Sequence, residues 1–132
     1  MSAAATAVRV LVVEDDPDSC DALVLALSAQ GFEAECARTV GQALVKLERG
    51  LMPAALIVDL RLPDASGSLL LRRIHRDRML TKVAVVTGMP NPLSHPDLVR
   101  FPPDRVFQKP VDFHELADWL KTVVDPGLSE GI

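Results

Sequence analysis

The sequence predicts an α/β domain: a doubly wound, five-stranded parallel sheet with helices on both faces. Three observations predict it. Short β-rich runs alternate five times with segments of helical periodicity, and no stretch repeats another. Two of those runs, Ala55 to Val58 and Val83 to Val86, are apolar without alternation, the pattern of a strand covered on both faces. The connections are short, and alternation with short connections leaves strand–helix–strand crossovers as the natural links.

Each element has its own justification. Val8 to Val13 is a β-rich run that ends in Glu14, Asp15 and Asp16. Asp16-Pro17 then reads as a helix start, with the carboxylate at the N-cap and proline at the first helical position. Cys20, Leu23, Val24 and Leu27 recur at helical spacing, and Gly31 is a natural stop. Phe32 to Ala37 makes a second strand. Thr39 and Gln42 form a capping box for a helix buried through Ala43, Leu44 and Leu47 and closed by Gly50. The third strand, from Ala55, runs straight into Asp59. Pro63 and Gly67 mark the loop after it, before a helix from about Ser68 to Arg78 buried through Leu70, Leu71 and Ile74.

The fourth strand ends in Thr87-Gly88. Pro90, Pro92, Pro96, Pro102 and Pro103 then leave room only for a helix near Asp97 to Phe101, so the fourth helix is expected to be short or irregular. Arg105 to Gln108 is the fifth strand and meets Lys109-Pro110. Asp112 and Glu115 box the last helix, whose stripe is Phe113, Leu116, Leu120, Val123 and Val124. The domain is expected over residues 8–124, between a flexible segment 1–7 and a Pro- and Gly-punctuated tail 125–132.

Composition sets the outer bounds. A chain of 132 residues is one domain by size and can bury a core without metals or disulfides. Its apolar content of 48% and mean hydropathy of +0.21 suit well-covered strands. A net charge of −4 and a pI near 5.3 argue against direct nucleic-acid binding, which asks for a basic stripe. The run Arg72, Arg73, Arg76, Arg78 is read as the solvated face of a helix. Met1 to Ala7 has no basic n-region, and Val8 to Val13 is too short for a signal peptide or a membrane span. A soluble, cytoplasmic protein with no membrane association is expected. Cys20 on a helical stripe and Cys36 in a strand are read as two separate buried thiols of a reducing compartment.

The polar residues at the strand ends carry the functional argument. Strand one ends in Glu14-Asp15, strand three in Asp59, strand four in Thr87 and strand five in Lys109. A parallel sheet puts all those ends on one edge, where open α/β folds bind ligands. Carboxylates so close repel one another, which raises at least one pKa unless a cation joins them. Oxygen ligands from two or three carboxylates suit Mg²⁺, which keeps waters for a phosphate. Lys109 offers a point charge and Thr87 a hydroxyl donor, the partners a phosphoryl group needs. Phosphoryl transfer asks mainly for positioning and charge neutralisation, and Asp59 is the natural nucleophile. Singly, Asp59 or Asp15 could be a cap, Thr87 an ordinary strand residue and Lys109 a surface charge. Together, at the ends of four strands, they form a specific pattern.

The ordered stretches Leu-Val-Val-Glu-Asp-Asp-Pro-Asp, Ile-Val-Asp-Leu-Arg-Leu-Pro-Asp-Ala-Ser-Gly, Val-Val-Thr-Gly and Phe-Gln-Lys-Pro resemble the receiver domain of two-component response regulators. The resemblance covers roughly Val8 to Val124 and implies a flavodoxin-like receiver fold. It implies that Asp59 accepts phosphate from the phosphohistidine of a histidine kinase or histidine phosphotransfer protein. Glu14 and Asp15 would be the acidic metal pair for Mg²⁺, joined by Asp59 and the backbone carbonyl of Arg61. Thr87 would hydrogen-bond the phosphoryl group, Lys109 would pair with it, and Lys109-Pro110 would be cis. The partner would dock against the helix after Pro17 and the loop after Lys109, while Arg61 and Met89, flanking the site, would tune hydrolysis. The domain would catalyse only its own phosphorylation and dephosphorylation.

Three departures stand out. Val106 occupies the position where the family usually carries a switch aromatic, and Phe107 beside it should face the other way. Gly88 follows Thr87 in place of a small residue with a side chain, so a looser loop is expected. The proline-rich stretch weakens the helix that family members often use for phosphorylation-dependent dimers, so an output face elsewhere is expected, or none. His114-Glu115-Leu116 looks like a phosphorylated-histidine box but lacks the Pro and basic residues of such a box, and is read as structural. His75 and His95 are read as solvent-facing, and Trp119 as core or half-buried.

Two other function classes compete. A receiver-like interaction module acting without phosphorylation fits Val106 but leaves the acidic, Thr and Lys set without a use. A Mg²⁺-dependent phosphatase or nuclease would want a second acid two residues after the nucleophile, where Arg61 stands. A dinucleotide site would want a Gly-rich turn after the first strand, which is absent. The chain ends soon after the last helix, so no output domain is expected within it. It could be a stand-alone regulator or a domain of a longer protein.

Overall fold

The computed structural model describes residues 8–124. The elements run in the order β1 (Arg9–Val13), α1 (Pro17–Ala29), β2 (Glu33–Ala37), α2 (Val40–Glu48), β3 (Ala55–Asp59), α3 (Ser68–Arg76), β4 (Lys82–Thr87), α4 (Pro96–Arg100), β5 (Arg105–Gln108) and α5 (Phe113–Val124). A single 3₁₀ turn, Pro92–Ser94, precedes α4. The strands form one parallel sheet in the order β2-β1-β3-β4-β5. The expected doubly wound architecture is therefore present, with its fourth helix cut to five residues by the prolines. The segments 1–7 and 125–132, expected to be a flexible lead and a tail, lie outside the described residues.

The sheet separates two apolar layers because strand side chains alternate. Leu11, Val13, Leu56, Val58, Val83 and Val85 pack with Ala43, Leu47, Leu71, Ile74 and Leu98, against α2, α3 and α4. Val10, Val12, Ile57, Ala84 and Val86 pack with Leu27, Leu116, Trp119 and Leu120, against α1 and α5. Val106 belongs to the first layer and Phe107 to the second, where its ring meets Trp119 edge-on at 6.1 Å. The two residues do face opposite ways.

Helix ends obey local chemistry. Asp16 caps α1, its Oδ2 accepting from the Ser19 N–H at 3.1 Å and from the Ser19 hydroxyl at 2.6 Å, and those bonds hold its carboxyl below the usual range. Gly31 and Gly50, after α1 and α2, take positive φ as helix stops do. The α2 box is modified: Thr39 Oγ1 accepts from Gln42 N, but the Gln42 side chain reaches back one residue further, to Arg38 N. A second cap comes from far away in sequence. Asp64, in the β3–α3 loop, accepts from the N–H groups of Val40 and Gly41 at 3.0 and 2.9 Å. At α5, Asp112 Oδ1 accepts from His114 N and Glu115 N.

Two expectations need correction. Cys20 on α1 and half-buried Cys36 on β2 are not remote thiols: their sulfurs are in contact and their Cα atoms 6.2 Å apart, a separation a disulfide can span. The helical stripe and the strand face that bury them are the same interface, a fact that neither local pattern contains. His95 is also not simply solvent-facing. It is half-buried, and its Nδ1 accepts from Asp97 N to cap α4. His75 is exposed, as expected, with Nε2 3.2 Å from the Pro102 carbonyl.

The Asp64 bridge has a pH signature. Donation first from Gly41 N–H and also from Val40 N–H holds its carboxyl below the ordinary value of 3.8. A lowered folded-state pKa gives stability that is present above the unfolded value and lost as pH falls through the folded one. Asp64→Ala is expected to melt below the parent at pH 7, with the gap closing as thermal scans are repeated below pH 3.8.

Candidate functional site

Strand order decides where a ligand can sit. From β1 the chain passes to β2 on one side, and from β3 it proceeds through β4 to β5 on the other. The crevice of such a sheet opens at the carboxyl ends of the two strands flanking that reversal, here β1 and β3. Glu14 and Asp15 come directly after β1, and Asp59 is the last residue of β3. In register Asp59 lies beside Val86, one residue before Thr87, and Thr87 lies beside Gln108, one residue before Lys109. Parallel register thus brings together all five residues singled out in the sequence.

Their contacts are specific. The Lys109 ammonium donates to Asp59 Oδ2 at 2.7 Å and to Glu14 Oε1 at 3.1 Å, bridging β1 and β3 from the end of β5. Glu14 and Asp59 are only 6% and 7% exposed, so each needs a partner for its charge. Their remaining oxygens are occupied too. Glu14 Oε2 accepts from Asp16 N at 3.1 Å, and Asp59 Oδ1 accepts from Arg61 N at 3.1 Å. Burial of Lys109 pulls its pKa down, but hydrogen bonds and charge from Asp59 and Glu14 outweigh this and the net direction is up. It is a fixed cation. Thr87 is buried, its Oγ1 accepting from Met89 N at 3.0 Å, while its carbonyl accepts from Lys109 N at 2.8 Å. The Lys109-Pro110 bond is cis, as the resemblance implied.

A divalent cation fits this arrangement. Glu14, Asp15 and Asp59 each offer an oxygen, all within 4.8 Å of one another, with Asp15 exposed and the other two buried. Three hard carboxylate oxygens on one open side are a donor set for Mg²⁺ with waters completing its shell.

One residue of the site was seen in the sequence only as a loop marker. A Cβ on Gly67 would collide with the Asp59 carbonyl oxygen and lie 2.8 Å from Val58 Cγ2. Gly67 N–H in turn donates to the Leu60 carbonyl at 2.9 Å. The start of α3 therefore lies directly on the backbone of Asp59. The available signal was a glycine where a helix start prefers a side-chain cap.

Residues 10–121 match the family model described as the response regulator receiver domain. The chain belongs to that family. Among solved structures this receiver domain is similar to a CheY-like receiver domain protein from Methanospirillum hungatei, 30% identical, with a TM-score of 0.84 over 95% of this chain and 99% of that one. It is also similar to the response regulator TrrA of Thermotoga maritima, solved in complex with Mg(2+)-BeF: 26% identical, TM-score 0.78, over 88% and 98% of the two chains. Among curated proteins, the transcriptional regulatory protein TrcR of Mycobacterium tuberculosis is 27% identical over 86% of this chain and 44% of its own length. The acid tolerance regulatory protein ActR of Rhizobium meliloti is 30% identical over 80% and 54%. The receiver domain thus spans about half the length of these curated relatives. No helix among the described residues is long and apolar enough to cross a membrane.

The two glycines beside the site separate fit from flexibility. Gly67 has φ of −59°, open to any residue, so Gly67→Ala is penalised by contact alone. It is expected to cost about 3 kcal/mol in denaturant unfolding, the upper range for overpacking. At Gly88 an added Cβ would meet only Lys109 Cβ at 4.0 Å, so Gly88→Ala is expected to unfold with the parent in the same titration.

Proposed function

We propose that Asp59 takes a phosphoryl group from a phosphohistidine, with Mg²⁺ held by Glu14, Asp15, Asp59 and the backbone carbonyl of Arg61. The observation that carries this reading is the Lys109 ammonium, held between Asp59 and Glu14 while Asp15 shares the same oxygen cluster. A module that never met a phosphate would have no use for two buried carboxylates and a cation at the mouth of a crevice.

The bound ion would neutralise charge on the incoming phosphoryl group. The chain's residues do the rest. An Asp59 oxygen attacks phosphorus, the phosphorus–nitrogen bond of the donor breaks, and the imidazole leaves with its electron pair. The product is an acyl phosphate on Asp59. Arg61 N–H, on Asp59 Oδ1, orients the carboxylate. Lys109 exchanges its bond to Asp59 for one to the phosphoryl oxygen, and the Thr87 hydroxyl donates to another. Hydrolysis of the acyl phosphate returns the domain to its starting state, so its chemistry is confined to its own phosphorylation and dephosphorylation.

The donor would be a histidine kinase or a histidine phosphotransfer protein in the cytoplasm. An apolar groove beside the site gives it a place to dock. Ala22, Leu23 and Ala26 of α1 face Pro110, Val111 and Phe113 across it, and its inner end is lined by Glu14 and Lys109. This groove joins the two segments expected to meet the donor. The sequence carries no basic stripe, so we assign the domain no direct nucleic-acid contact and no membrane role.

Incubation with acetyl phosphate and Mg²⁺, with intact mass as the readout, is expected to add one phosphate to the parent. EDTA or Asp59→Ala should abolish the gain, and an unmodified parent would overturn the reading. Arg61→Ala and Met89→Ala are expected to be phosphorylated but to lose the phosphate at altered rates in a time course.

A further inference from the structure

On the α2/α3/α4 side of the sheet, away from the phosphoacceptor, α3 and α4 enclose a groove of about 690 Å³. Leu44 of α2, Leu69 of α3 and Phe101 after α4 give it apolar walls. Leu69 is 37% exposed although it lies in a helix that buries Leu70 and Leu71 beside it. The guanidiniums of Arg72 and Arg100 stand over the Phe101 ring, 5.8 and 5.5 Å from its centroid. Arg73 and Arg76 on the same helix are neutralised by Asp77, and Arg73 also by Glu48. Among the described residues no carboxylate lies within ion-pair distance of Arg72 or Arg100. The arginine face expected from the sequence therefore divides: Arg73 and Arg76 are paired with carboxylates, while Arg72, joined by Arg100 from α4, stands over an aromatic ring without one.

Each guanidinium lies within cation–π distance of the ring and keeps a donor fork without a carboxylate partner, a group suited to bidentate carboxylates. The chain as a whole carries a charge of −4, so it lacks the broad positive field that gathers nucleic acid. Two free cations flanking an apolar floor complement a helix with an aliphatic residue between carboxylates one turn apart.

This surface is connected to the site. Arg61 N–H donates to Asp59 Oδ1, and Arg61 pairs with Ser66 in an isolated antiparallel bridge. Ser66 Oγ lies 2.9 Å from Ser68 Oγ and accepts from Ser68 N at 3.2 Å. Ser68, wholly buried, donates to Asp97 Oδ2 at 2.7 Å, in the first turn of α4. Arg100 and Phe101 end that helix. Val106, being aliphatic, offers no ring to swing between positions, and this hydrogen-bonded run joins the loop after Asp59 to α4.

We infer that the groove formed by Leu44, Leu69, Arg72, Arg100 and Phe101 receives an acidic amphipathic helix of a partner protein, and that the Ser66–Ser68–Asp97 bonds make its affinity depend on phosphorylation. The second half rests on Asp59 being the phosphoacceptor; the first does not.

The test uses the full, ¹⁵N-labelled chain and three probes: a synthetic amphipathic peptide with Glu flanking Leu at helical spacing, its Lys-for-Glu counterpart, and a single-stranded oligodeoxynucleotide. The Glu peptide is expected to shift the amides of Leu69, Arg72, Arg100 and Phe101, and Arg72→Glu with Arg100→Glu to weaken it about 10-fold or more. No binding, equal binding of the Lys peptide, or tighter binding of the oligonucleotide overturns the assignment. So do groove shifts that depend on protein concentration alone, which would make a second copy the occupant. Acetyl phosphate treatment of the parent is expected to change peptide affinity about 5-fold or more. Asp97→Ala should be phosphorylated normally yet lose that change, while Asp97→Asn, which keeps an acceptor for Ser68, should retain it. A phosphorylated Asp97→Ala that responds like the parent overturns the link. A parent that takes no phosphate overturns the phosphoacceptor reading and leaves the groove measurement standing.

Discussion

Two carboxylates that water barely reaches, on strands that are neighbours in the sheet, can coexist only with positive charge between them. Lys109 supplies it, reaching from the end of β5 across β4 to Asp59 and Glu14. The interaction is local in space and remote in sequence, so it depends on the register of the sheet. A one-residue slip would turn Asp59 to the opposite face, into the α2/α3/α4 layer, where no buried cation stands among the described residues. The apolar strands are what prevent that slip. Leu56, Ile57 and Val58 are buried in alternate layers, and each layer accepts only one phase.

The same alternation gives the molecule two faces with different work. On the α1/α5 side lie the apolar groove beside Glu14 and Lys109 and the Phe107–Trp119 contact. On the α2/α3/α4 side, the loop after Asp59 makes the connections. Asp64 caps α2, Gly67 sits on the Asp59 backbone, and Ser68 holds α4 through Asp97. One short loop thus touches Asp59 and two helices at once. The inferred coupling to α4, in a receiver domain with Val106 in place of an aromatic, rests on that arrangement.

Local signals were legible where a residue's role depends on its near neighbours. The Asp16-Pro17 start, the Gly31 and Gly50 stops and the proline-shortened α4 all stand as read. The polar residues at the strand ends were legible for a different reason: a parallel sheet has one carboxyl edge whatever its strand order. One failure was local, since the Asp97 N–H that His95 accepts from is two residues on; the others arose because the relevant neighbour came from elsewhere in the chain. His95 reads as exposed until α4 needs a cap, and Cys20 and Cys36 read as separate until α1 packs over β2. The arginine run reads as uniform until Phe101 takes up only part of it.

By itself, then, the sequence determined the class of fold, the element boundaries to within a few residues, and which side chains would gather at one edge of the sheet. Periodicity, caps and turn residues act over a single turn or a single strand, and that range suffices for those features. Only the tertiary structure decided which strands are neighbours, that one ammonium spans two carboxylates, and that Gly67 admits no side chain. Each of these is a distance between atoms far apart along the chain, set by the close packing of both layers against the sheet.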